Sequence, residues 1–97
     1  MFGLQDKIIS TLKKYFSSRP EIEKVIIFGS RAKGTEKTGS DVDLAIITTE
    51  TTDISGKIRA ELDDLPTAYL FDVVDYSKIS RPPLREHIDR VGKVLFP

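Results

Sequence analysis

Residues 25–47 read VIIFGSRAKGTEKTGSDVDLAII, and the parsing of this stretch decides the fold of the 97-residue chain. Val25-Ile26-Ile27-Phe28 is an apolar run that stops abruptly at Gly29-Ser30. Four branched or aromatic residues bounded by Gly suit a strand buried on both faces. Asp41-Val42-Asp43-Leu44-Ala45-Ile46-Ile47 reads as a second strand, polar only where it begins. Side chains alternate along a strand, so Asp41 and Asp43 point the same way, their carboxylates within reach of one ion. Between the strands, Ser30 to about Lys33 is predicted as one short helical turn whose free N–H groups face whatever sits at the strand's end. Gly34 to Gly39 is predicted as a polar loop.

Upstream, Leu4, Ile8, Leu12, Tyr15 and Phe16 recur at four- and three-residue spacing, which predicts an amphipathic helix over roughly residues 3–17. Pro20 cannot continue it. Downstream, Thr52 or Asp53 is a candidate N-cap for a helix marked by Ile54, Ile58, Leu62 and Leu65 and ended by Pro66. Thr67 to Tyr76, rich in β-branched and aromatic residues, reads as a third strand. Ser80-Arg81-Pro82-Pro83 opens a last helix with Leu84, Ile88 and Val91 as its buried stripe and Gly92 as its stop. Lys93 to Pro97 is either a short final strand or a docked tail. Strands interleaved with helices predict an α/β (α+β) domain, a small mixed twisted sheet with helices packed on it.

The length fits one domain spanning residues 1–97, and such a chain buries roughly 60–65% of its unfolded surface. Fifteen basic residues balance fifteen acidic ones, so no global field favours nucleic acid or an anionic membrane, and any attraction for phosphate is local. The absence of Cys excludes disulfides, thiolate metal sites and a Cys nucleophile. No apolar run approaches membrane-spanning length and no secretory leader pattern opens the chain, so a cytoplasmic protein is expected.

The chemistry-bearing residues cluster around the opening stretch. Gly29-Ser30 alone would be an ordinary strand-to-helix turn, with Gly supplying backbone freedom and Ser a cap. The run Gly29 to Gly34 imitates the opening of a P-loop, but Thr35-Glu36 stand where Lys and Ser/Thr should follow, which rejects a Walker A site. Asp41 and Asp43 on one strand face raise each other's pKa unless a cation lies between them. Their hard oxygens suit Mg²⁺ or Mn²⁺, ions that usually take few carboxylates plus substrate phosphate oxygens. An EF-hand is excluded because its later ligands are missing. A backbone-amide cradle beside aligned acids implies metal-assisted handling of a phosphate.

A third acid has two candidates on the third strand, Asp72 and Asp75, which face opposite sides. Asp72 sits mid-strand after an apolar run, the costlier location, whereas Asp75 near the strand's end is more easily solvated. Asp72 is therefore the choice. Arg31 lies nearest the cradle and is the candidate phosphate contact, while Lys33 and Lys37 are expected in solvent. His87, the only His, falls at the edge of the last helix's apolar stripe and reads as surface or boundary filler. Arg81, Arg85 and Arg90 read as a solvated face.

Gly29-Ser30, ten residues, then Asp41-Val42-Asp43 resembles the GSx10DxD signature of nucleotidyltransferases of the DNA polymerase β superfamily. With Ala32, Gly34, Ser40 and the later FDVVDY, the chain is more closely similar to the minimal nucleotidyltransferases, small proteins often paired with HEPN-domain proteins. The resemblance implies a polymerase β-like core and two-metal nucleotidyl transfer. Gly29 and Ser30 would hold the β and γ phosphates of ATP, Asp41 and Asp43 would bind Mg²⁺, and Asp72 would hold the second metal or deprotonate the attacking hydroxyl. Members paired with HEPN toxins act as antitoxins, and some transfer AMP to a Tyr hydroxyl of that partner.

The leading expectation is thus an ATP-dependent AMP transferase acting on a HEPN-type toxin. Non-catalytic neutralisation of a HEPN ribonuclease by binding is a second reading, and a small-molecule nucleotidyltransferase a third. Larger relatives grip base and acceptor with a further domain that is not expected here, leaving a partner chain or a second copy to complete the site. Zero net charge with only three clustered cations argues against direct DNA binding.

Overall fold

Consecutive residues are buried along Ile22–Phe28 (Ile27 and Phe28) and Val42–Thr48 (Leu44, Ala45 and Ile46), because each strand serves two apolar layers, one on either face of the sheet. The computed structural model describes residues 6–29, 41–67 and 69–97. In chain order these form α1 (Asp6–Ser17), β1 (Ile22–Phe28), β2 (Val42–Thr48), α2 (Ser55–Asp63), β3 (Phe71–Asp75), a 3₁₀ turn (Tyr76–Lys78), α3 (Pro82–Val91) and β4 (Lys93–Phe96). The sheet order is β3-β2-β1-β4. β1 is antiparallel to both β2 and β4, whereas β2 and β3 are parallel. The predicted mixed sheet with packed helices is the observed one, and its parallel pair is joined through α2, since parallel neighbours need a crossover.

One layer packs α1 (Ile9, Leu12, Phe16) and α2 (Ile58, Leu62) against Val25, Ile27, Val42, Leu44, Ile46, Phe71 and Leu95. The other packs Ile88, Leu84 and Val91 of α3 against Ile26, Phe28, Ala45 and Val74. Outside the cores, the Tyr15 hydroxyl donates to Glu61 Oε1 at 2.6 Å and Arg19 pairs with the same carboxylate, tying α1 to α2. No helix among the described residues is long and apolar enough to cross a membrane.

Most expected boundaries lie within one or two residues of those observed, and the exceptions have local causes. The first helix begins at Asp6 among the described residues, and its expected first turn lies outside them. The expected helical turn after Ser30 and the loop to Gly39 also lie outside them. Neither Thr52 nor Asp53 is the formal cap of α2; Ile54 holds that position with no side-chain bond. Asp53 nonetheless accepts from the Ser55 N–H at 2.8 Å, so it satisfies one donor of the first turn. The third strand is shorter than Thr67–Tyr76 because its flanks bond to themselves. Thr67 Oγ1 accepts from the Tyr69 N–H at 2.9 Å, and Asp75 draws the Ser77 N–H into the 3₁₀ turn at 3.2 Å. The terminal segment is a strand, hydrogen-bonded to β1.

Candidate functional site

The register brings three strand ends together. Phe28, the last residue of β1, pairs with Asp43 of β2, and Asp43 pairs in turn with Asp72 of β3. Val42, Leu44 and Ile46 belong to the layer under α1 and α2, while Ala45 belongs to the layer under α3. Asp43 therefore shares the α3 face with Ala45, and Asp72, between Phe71 and Val73, shares it with Val74. Two carboxylates on one face of adjacent strands stand about 5 Å apart along the hydrogen-bonding direction. Asp41 lies just ahead of β2 with the same alternation as Asp43 and is exposed.

Gly29 follows Phe28 at φ 77°, a left-handed backbone that favours glycine. A β-carbon there would also collide with Asp43 Oδ2, so the bend closes directly over that carboxylate. Burial pushes the Asp43 carboxyl above its ordinary range, and the negative charges of Asp72 and Asp41 push it further, against an opposing pull from His87. Neither Asp43 nor Asp72 has a Lys or Arg ion pair among the described residues. A desolvated acid repelled by two more acids, with only oxygen donors, has the chemistry of a hard divalent cation's ligand set. Among the described residues no group of three acid, imidazole or thiol side chains is placed to hold one metal ion.

Asp75, the rejected third acid, lies at the other end of β3 on the other face. The exposures are the reverse of those expected: Asp75 is only 2% exposed, and Asp72 is the exposed one. β3 is an edge strand and Asp72 stands near the open end of the sheet, whereas Asp75 is covered by its own turn. Its Oδ1 accepts from the Ser77 N–H at 3.2 Å and from Ser77 Oγ at 3.0 Å, and its Oδ2 lies 3.4 Å from Lys78 Nζ. Its charge is answered within the protein.

Ser30, Arg31, Lys33 and Lys37 lie outside the described residues. Arg81, Arg85 and Arg90 are exposed, as expected, with Arg90 pairing with Glu86 at 3.7 Å and Arg85 standing over the Tyr76 ring at 5.3 Å. His87 stands at the edge of the apolar stripe of α3, where the spacing put it. It is half-buried on α3, its ring edge-on to Phe28 with centroids 6.3 Å apart and planes at 80°.

The family model described as polymerase beta, nucleotidyltransferase matches residues 10–97. Among solved structures, the chain is similar to a chain of a toxin–antitoxin complex with AMP-PNP, at 25% identity and a TM-score of 0.66, over 94% of this chain and 73% of that one. It is similar to a chain of a mutant MntA–HpeT toxin–antitoxin at 26% identity and a TM-score of 0.62, over 94% and 71%. A chain from the tri-AMPylated Shewanella oneidensis HEPN toxin in complex with MNT antitoxin shares the fold at 22% identity and a TM-score of 0.62, over 95% and 71%. No curated protein sequence matches significantly.

Proposed function

Since the chain belongs to the polymerase β nucleotidyltransferase family, we propose that it transfers AMP from ATP to a hydroxyl, that of a tyrosine, on a HEPN-type partner and so acts as its antitoxin. One observation carries this reading: the Asp43–Asp72 pair, set side by side by the β2–β3 register and roofed by the Gly29 bend. The nucleotide and partner follow from similar proteins, one crystallised with AMP-PNP and one whose HEPN toxin is AMPylated.

In this reading Gly29 and Ser30 receive the β and γ phosphates, and Arg31 balances the charge of the departing pyrophosphate. Asp41 and Asp43 would hold Mg²⁺ or Mn²⁺, and Asp72 a second ion; such ions, when bound, neutralise triphosphate charge and activate a hydroxyl. The new bond joins the acceptor oxygen to the α-phosphorus, and the bond from that phosphorus to the β-phosphate bridging oxygen breaks. Alternatively Asp72, exposed on an edge strand, takes the proton of the acceptor hydroxyl. Residues of this chain supply position and charge, and the partner supplies the acceptor.

The test is to co-express the chain with the product of its neighbouring gene, supply ATP and Mg²⁺, and weigh that product. A gain of one or more AMP masses, lost when Asp41→Asn and Asp43→Asn are combined, is the expected result. Full neutralisation by the double mutant, with no mass gain from the parent, would replace this reading with inhibition by binding. Mass gain on a small molecule alone would replace it with small-molecule transfer. Ser30→Ala is expected to weaken triphosphate binding by about 1–3 kcal/mol, the value of a hydrogen bond to a charged group; unchanged affinity would remove Ser30 from the site.

A further inference from the structure

His87 stands where the site's wall would otherwise be an apolar side chain. Ile88, next to it on α3, is buried against Phe28 and Ala45, and Leu84 and Val91 pack on the same layer. That packing fixes the rotation of the helix and delivers the imidazole to the edge of the Phe28 ring. Phe28 is both the cross-strand partner of Asp43 and the residue before the Gly29 bend. The imidazole thus borders the end of the site at which β1 stops, opposite the exposed Asp72 edge. Neither ring nitrogen has a hydrogen-bond partner among the described residues, although the ring is half-buried. A histidine retains at least one N–H donor in either protonation state.

We infer that His87 is a nucleotide-contacting residue, whose ring N–H donates to the β or γ phosphate of a triphosphate seated at the Gly29 bend. The inference rests on the nucleotidyltransferase reading and adds α3 to the elements that grip the leaving group. A histidine at this position can serve two ends where a phenylalanine serves one. Its carbons pack on Phe28, and its nitrogen reaches an anion. The electrostatic pull of His87 on Asp43 is consistent with that proximity.

Two substitutions separate the two ends of the ring. His87→Phe keeps an aromatic edge against Phe28 and removes the donor; His87→Gln keeps a donor and removes the ring. Calorimetry with AMP-PNP and with AMP, each with Mg²⁺, is run on the full chain and both variants, with melting temperatures to confirm folding. Loss of a charge-assisted hydrogen bond is expected to weaken AMP-PNP binding about tenfold in His87→Phe. His87→Gln should stay within about threefold of the parent, and AMP affinity should change little in any variant, because AMP lacks the β and γ phosphates. Parent-like AMP-PNP binding by folded His87→Phe would overturn the inference, and weakened binding by His87→Gln beside it would assign a packing role. Should His87→Phe fail to fold, the His87 ring signals of the parent decide. They are expected to shift with AMP-PNP and not with AMP, and equal shifts, or none, would overturn the assignment. A parent that binds no triphosphate would sink the nucleotidyltransferase reading itself, whereas a binding parent with an indifferent His87 sinks this inference alone.

Discussion

The two ends of β3 carry one acid each, three residues apart, and they have opposite fates. At the far end, Asp75 is buried, accepts two hydrogen bonds from Ser77 and is answered by Lys78. At the near end, Asp72 pairs in register with Asp43, whose carboxyl feels the negative charges of Asp72 and Asp41. A buried carboxylate with its own cation is a structural device, costly to break and idle in chemistry. Asp43, pushed up by burial and by the like charges beside it, is held in an unfavourable state that a divalent ion would relieve. Burial alone would select Asp75, whose charge the fold already answers. What separates the two is whether the fold itself supplies the opposite charge.

The largest expected effect strikes the near end alone. Asp43→Asn should lower nucleotidyl transfer by at least ~10²–10³-fold, the scale of losing one preorganised charge-stabilising group, measured as AMP incorporation per folded molecule. Activity within a few-fold of the parent would erase the distinction between the two ends. Asp75→Ala should do the reverse. It leaves Lys78, a quarter exposed, without its ion-pair partner and with only Glu50 O and Ser77 Oγ to accept from its ammonium. Stability should fall by about 2–3 kcal/mol, or roughly 10–20 °C in melting temperature for a domain of this size, with triphosphate affinity of the folded fraction unchanged. Gly29→Ala should cost about 1–2 kcal/mol for its left-handed backbone, and it also drives a methyl into the Asp43 carboxylate. It is the one change expected to damage both stability and activity, and a variant as stable as the parent would contradict the bend's geometry.

The smallest effect has the sign that sharpens the contrast most. Because the folded-state pKa of Asp43 is raised, the native state holds a proton there that the unfolded chain has already released. The stability this lends is present at low pH and is lost as pH rises through the window above the ordinary carboxylate value. Asp43→Asn should therefore melt slightly higher than the parent at neutral pH without divalent ions, with the gap closing as pH falls. A mutant less stable than the parent at neutral pH would mean that Asp43 is paired like Asp75.

The architecture was largely legible because its signals are local. Apolar runs bounded by Gly29, Pro66 and Pro82-Pro83 mark element ends, and the spacings of Leu12 with Phe16 and of Ile58 with Leu62 mark buried helix faces. The common face of Asp41 and Asp43 follows from strand alternation alone. The burial of Asp75 was not legible, because it depends on Ser77 and Lys78 folding back in a 3₁₀ turn. Nor was the place of His87, since pattern gives the stripe on α3 but not the strand end against which that stripe lands. Pairing order behaves likewise: β4, last in the chain, joins the sheet beside β1.

The most direct test of the contrast is paramagnetic broadening by Mn²⁺ of the side-chain carboxyl signals in the presence of AMP-PNP. The account predicts that the signals of Asp41, Asp43 and Asp72 disappear at substoichiometric Mn²⁺ while that of Asp75 stays sharp. Preferential loss of the Asp75 signal, or no broadening at Asp43 and Asp72, would contradict it.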